Sequence, residues 1–234
     1  AVPTTQWSVV LSVGHGTAES AARALEKLCH TYWYPVYALA RALGDSPEDA
    51  ADVTQEFFAF VLRDVASTAD PARGRFRSWL KGSFRRFRAQ RQRHARAFKR
   101  GGAVHMVSYE ALEAEERFAL EPRTEDSPDV IFDRNWLVAC LDTALGRLRM
   151  LFAADQKEDV FDLLKDHLQR AEDATPYRQL AETLGTTEAA MKMQMMRLRR
   201  RYARVLLAVV SDTLADPSHA REELRELQQA MNAP

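Results

Sequence analysis

The chain has 234 residues, with 33 lysines and arginines against 33 aspartates and glutamates, and a hydrophobic content of 46%. That composition excludes a disordered or fibrous chain and leaves room for one large domain or two small ones. No apolar run reaches the roughly eighteen residues of a membrane span, and no basic, apolar leader pattern opens the chain, so neither a membrane-inserted segment nor a signal peptide is expected, and a cytoplasmic location is.

Almost every segment has helical periodicity. Glu19 to Leu43 carries Leu25, Leu28, Tyr32, Val36, Leu39 and Leu43 at three-to-four spacing, with Pro35 as a candidate kink. In the following GDSPEDA, Gly44 ends that helix, Asp45 or Ser46 caps the next, and Pro47 suits its first turn. The helix from Pro47 to about Asp64 has an apolar side of Val53, Phe57, Phe60 and Val61. Its other side carries Asp49, Asp52 and Glu56, and Gln55 and Glu56 beside an exposed Phe58 suggest a docking surface; a plain solvated face is the alternative.

Residues 71–109 contain no acid and twelve basic residues, from Arg73 to Arg100, interleaved with Phe76, Trp79, Phe84, Phe87 and Phe98. A solvated face normally mixes both signs, so this stretch points to a polyanion, and nucleic acid is the usual one. Phe76, Leu80, Ser83, Phe84 and Phe87 recur at helical spacing and anchor a helix on a core. Arg85, Arg86, Gln90 and Arg93 then lie away from that stripe, and Gly101-Gly102 ends the helix.

Residues 110–128 change character, with seven acids, two arginines and two prolines. They read as a flexible acidic linker between two domains. Helical periodicity resumes over 130–152 and 157–168. Near the C-terminus a helix from Pro176 to Thr183 buries Leu180 and Ala181, Leu184-Gly185-Thr186 makes a tight turn, and Thr187 caps a second helix. There Met191, Met195, Leu198 and Tyr202 form the inward stripe, so Lys192, Met193, Met196, Arg197 and Arg200 face elsewhere. This has the form of a helix-turn-helix with a basic second helix suited to a major groove; any helical hairpin with a glycine turn shares the pattern. The tail from Asp212 carries a narrow strip of Leu224, Leu227 and Met231, expected to pack on the second domain.

Chemistry is sparse. Cys29 and Cys140 read as small buried hydrophobes, the six histidines lack ligand spacing, and no glycine loop, metal cluster or nucleophile triad is present in the sequence. The expectation is an all-α protein that is not an enzyme and uses no cofactor and no metal.

The order of these parts resembles the extracytoplasmic-function sigma factors, the small sigma subunits of bacterial RNA polymerase, over roughly residues 5–210. DAADVTQEFFAFVL is similar to their conserved region two-point-two, WLKGSFRRFRAQRQR to regions two-point-three and two-point-four, and YRQLAETLGTTEAAMKMQMMRLRRRYARVL to region four-point-two. FRSWL, KRGG and FDRNW look like a planctomycete-type and verrucomicrobial-type branch. The resemblance implies a region-two domain over 1–109, a linker over 110–128, a region-four domain over 129–211 with its helix-turn-helix at about 176–206, and an extension over 212–234.

It implies partners too: core RNA polymerase, docked by Asp49, Asp52, Gln55 and Glu56; promoter DNA, duplex and melted; and a regulator such as an anti-sigma factor. Arg85, Arg86, Gln90 and Arg93 would contact the minus-ten element and the melted strand. Thr187, Lys192, Met193, Met196 and Arg197 would read the minus-thirty-five element, with Arg199, Arg200 and Arg201 on phosphates. The chain departs from the family where asparagine usually stands (Arg86), where aspartate usually stands (Gln90), and in lacking a leucine-proline before the second domain's second helix. Two other readings compete: a stand-alone helix-turn-helix regulator independent of core polymerase, and an RNA-binding protein using the arginine-rich helix alone.

Overall fold

The structure is a computed structural model that describes residues 18–61, 75–97, 109–121, 126–169, 175–214 and 216–232. Among the described residues it is all-α: α1 Ala18–Ala42, α2 Pro47–Phe60, α3 Phe76–Ala97, α4 Tyr109–Leu120, α5 Pro128–Ala154, α6 Glu158–Gln169, α7 Tyr177–Thr183, α8 Glu188–Ser211, and α9 Ala220–Asn232 after a 3-10 turn at Pro217–His219. No described helix is long and apolar enough to cross a membrane.

The helices form two compact units. The first holds α1 to α4, the start of α5, and the chain from Val210 onward; the second is Cys140–Val209. In the first, Gly44 takes a φ of 91° that a side chain would resist, closing α1. Ser46 caps α2 by accepting from the Asp49 amide at 3.1 Å, with Pro47 in the first turn. Phe57 centres the aromatic core, 5.2 Å from Phe84 and 5.7 Å from Phe87, while Phe60 lies 5.0 Å from Phe87 and Tyr32 lies 5.2 Å from Phe76. These edge-on and tilted rings use the apolar stripe of α3 as its spacing requires.

Three sequence expectations give way here. Phe58 is buried, not exposed: with Phe57 it fills both sides of the inner face of α2, their rings 5.8 Å apart. The stretch expected to be a flexible linker contains helix α4. Its Ala114 is buried, Glu115 accepts from Arg41 at 2.9 and 3.0 Å and from the Tyr37 hydroxyl at 2.5 Å, and Glu121 accepts from the Tyr34 hydroxyl at 2.5 Å. Two of the acids that suggested a linker, Glu115 and Glu121, have partners on α1, and Arg117 over the Tyr34 ring at 3.9 Å adds to the seam. Desolvation, then the hydrogen bonds to Glu121 and Glu115, raise the pKa of Tyr34 and Tyr37 and keep both phenols protonated. The tail, finally, folds with the first unit and not the second, because its acids meet arginines of α3.

The second unit packs Leu148, Phe161, Leu164, Leu180, Met191, Met195 and Leu198 into one core. Gly185 turns the chain at a φ of 62°, and Thr187 accepts from the Ala190 amide at 3.2 Å to cap α8. Met191, Met195 and Leu198 are buried as the stripe predicts, and Tyr202 joins them half-buried, donating to the Leu141 carbonyl at 3.0 Å.

Candidate nucleic-acid interface

Helix α3 intersperses its basic residues among aromatic, apolar and small ones, and its cations sort by face. Arg77, Lys81 and Arg85, four residues apart, lie on one side. Arg77 Nη1 is 2.6 Å from Asp133, Lys81 Nζ is 3.0 Å from both Asp129 and Asp133, and Arg85 Nη2 is 2.9 Å from Asp129. Arg77 also pairs with the buried Glu223. Burial works against the Arg77 charge, but Asp133 and Glu223 outweigh it and raise its pKa.

A second side points at α2. Arg88 grips Asp45 at 2.6 and 2.7 Å and the Leu43 carbonyl at 3.0 Å, while Arg91 grips Glu56 at 2.8 and 3.2 Å. The acid-free stretch is therefore not a bare field. Acids of other elements neutralise most of its described cations, a consequence of folding that no count along the chain reveals.

Arg86, Gln90 and Arg93 are what remains. They are exposed and share one stripe at spacings of four and three. Arg86 donates to the Ser83 hydroxyl at 3.1 Å, and neither Arg86 nor Arg93 has a carboxylate partner among the described residues. The structure thus groups three of the four expected minus-ten residues and sets Arg85 apart on the neutralised side. The expected Gly101-Gly102 terminus lies outside the described residues.

The acidic side of α2 is present but already engaged. Asp49, Gln55 and Glu56 are exposed and Asp52 is half-buried; Arg91 reaches Glu56 and comes within 4.0 Å of Asp49 and of Asp52. Sequence reasoning missed Arg91 in this role, because a pair thirty-five residues apart leaves no local periodic trace.

On α8, Lys192, Met193, Met196, Arg197 and Arg200 are exposed on the side away from the core, Met193 and Met196 at 48% and 40%. Exposed methionines on a helix with a filled core stripe are free for contact. Lys192 pairs with Glu188 one turn earlier at 2.6 Å, and that hydrogen bond holds the Glu188 carboxyl below its usual range. Arg197 and Arg200 have no carboxylate partner among the described residues. Arg199 turns toward the Tyr177 hydroxyl at 3.2 Å and the His167 carbonyl at 3.4 Å. Arg201 departs from the expectation: half-buried, it lies 5.4 Å over the Phe152 ring and 3.9 Å from Asp155. Its place one residue past Arg200 rotates it off the exposed side.

No group of three or more metal-ligating side chains occurs among the described residues. No curated protein and no solved structure matches the chain significantly. Residues 30–98, which hold α2, α3 and much of α1, match the family model described as Sigma-70 region 2. Over this segment the chain is similar to region 2 of the sigma-70 factors.

Proposed function

We propose that the chain is a promoter-specificity subunit of the extracytoplasmic-function type, which binds core RNA polymerase and directs it to minus-ten and minus-thirty-five elements. One observation carries the reading: within the segment that matches region two, the cations of α3 left without carboxylates among the described residues, Arg86 and Arg93, lie on one exposed stripe with Gln90. Free guanidinium groups and an amide can hold unstacked bases and backbone phosphates of a melted strand.

The remaining roles follow the same logic. Asp49, Asp52, Gln55 and Glu56 form the docking side for core polymerase. Thr187, Lys192, Met193, Met196 and Arg197 read a duplex major groove, where Met193 and Met196 offer apolar contact to thymine methyl groups. Arg199 and Arg200 hold phosphates, and Arg201 supports α8 from behind.

Run-off transcription with cognate core polymerase on a genomic library tests this and returns the promoter motif. Promoter-specific transcripts that vanish on combined replacement of Arg86 and Arg93 are expected. Tight binding to a palindromic duplex without core enzyme, and no transcript with it, would sink the reading in favour of a stand-alone regulator.

A further inference from the structure

The segment beyond Ser211 returns to the first turn of α3, and the contact it makes there is ionic. Asp216 caps the 3-10 turn by accepting from the Ser218 amide at 2.9 Å, and α9 then buries Ala220, Glu223 and Leu227 along one side. Glu223 is 1% exposed and pairs with Arg77, which Asp133 holds from α5. Arg75, just before α3, places its Nε 2.7 Å from Glu223 and its Nη1 2.5 Å from Glu226.

These pairs differ in access. Arg77 and Glu223 are closed off, whereas the Arg75 and Glu226 side chains are 37% and 45% exposed. A guanidinium presents the same fork to a carboxylate and to a phosphate, so a nucleic-acid backbone competes with Glu226 for Arg75. An exposed pair at the rim, beside the exposed side of α3, is where a polyanion arriving from solvent would compete first.

We propose that α9 is a detachable carboxylate clamp, seated on a phosphate-binding end of α3 formed by Arg75 and Arg77. Nucleic acid running along α3 displaces Glu226 from Arg75 and then lifts α9 from Arg77. The clamp makes the chain a weaker binder alone, and it rests on the reading above that α3 meets DNA.

The test uses the full chain and a fluorescein-labelled forked DNA, duplex upstream with a single-stranded tail, read by anisotropy. Glu226→Gln should tighten binding about two- to fivefold, the strength of one exposed ion pair. Glu116→Gln, which removes the same charge from an exposed site on α4, should do less, and the gain should vanish in an Arg75→Gln background. In the wild type, saturating forked DNA should speed hydrogen exchange of the α9 amides. Unchanged affinity in Glu226→Gln, a gain that survives Arg75→Gln, or α9 amides equally protected with DNA bound would each overturn the clamp while leaving DNA binding by α3 standing. If neither the wild type nor any variant bound the fork, the proposed function would fall and the clamp with it.

Discussion

Arg91 donates to both carboxylate oxygens of Glu56, from Nε at 2.8 Å and from Nη2 at 3.2 Å. One guanidinium thereby joins the helix proposed to meet promoter DNA to the side of α2 proposed to meet core polymerase. The acids keep their outward edges: Glu56 is 51% exposed and Asp49 is 64% exposed. Replacing Asp52 and Glu56 together with lysine is expected to weaken assembly with core polymerase, read by co-migration on native gels. Arg91→Ala should leave assembly intact and move the urea midpoint by the equivalent of about 0.2–1 kcal/mol, as for other exposed ion pairs. Unchanged assembly in the double lysine variant would reduce the acidic side to a solvated surface.

Base reading by α8 makes a sharper demand. Arg197 is exposed and without a carboxylate partner among the described residues, so it is free for a bidentate contact to guanine. Arg197→Ala should lose about 1–3 kcal/mol of discrimination at one base pair of the minus-thirty-five element. A competition series over single-base variants checks this. An equal loss on every sequence would make the contact one to phosphate.

The aromatic core of the first unit should be intolerant of truncation. Phe57 is 0% exposed and touches Phe58, Phe84 and Phe87. Phe57→Ala is expected to destabilise by about 3–5 kcal/mol, a lost transfer term plus a cavity among rigid rings. Denaturant unfolding followed by tryptophan fluorescence measures it, and a shift under about 1 kcal/mol would mean that the rings collapse into the space.

Acid should loosen the seam between α3 and α5. Burial pushes the Asp129 carboxyl up, but hydrogen bonds and charge from Lys81 and Arg85 outweigh it, and the net pKa is lowered. A carboxyl with a depressed folded value stabilises fully above its unfolded value, about 3.9, and loses that contribution as pH falls through the folded value. Wild type should therefore exceed Asp129→Asn in urea midpoint at neutral pH, and the gap should narrow as the pH falls below about 3.9 and through the lower folded value. A gap that persists in acid would assign the effect to packing.

Local rules made much of the fold legible. The Gly44–Ser46–Pro47 junction, the inward stripe of α8 and the Thr187 cap each follow from a few adjacent residues whose preferences agree. The failures share a cause. Helix α4 reads as a linker from its acids and flanking prolines until Arg41, Tyr34 and Tyr37 of α1 are placed against Glu115 and Glu121. Arg85 falls with Arg86 in the sequence because periodicity separates core from surface but does not say which surface residues meet a neighbour. The path of the tail is hidden for the same reason, since its apolar strip fits any partner and its acids pair with Arg75 and Arg77.

The sorting of charge on α3 has a consequence for ionic strength. Each cation that meets a phosphate releases counterions, and the logarithm of affinity falls against the logarithm of salt by about 0.7 to 0.9 per contact. A helix with all its basic side chains bare would bind any polyanion and lose its grip steeply as salt rises. While α9 stays seated on Arg75 and Arg77, only Arg86 and Arg93 are unneutralised among the described cations of α3, and α3 should contribute a slope of about −1.4 to −1.8. Little of its attraction would then be indiscriminate, and stray chromosomal DNA would hold it poorly until the rest of the promoter is engaged.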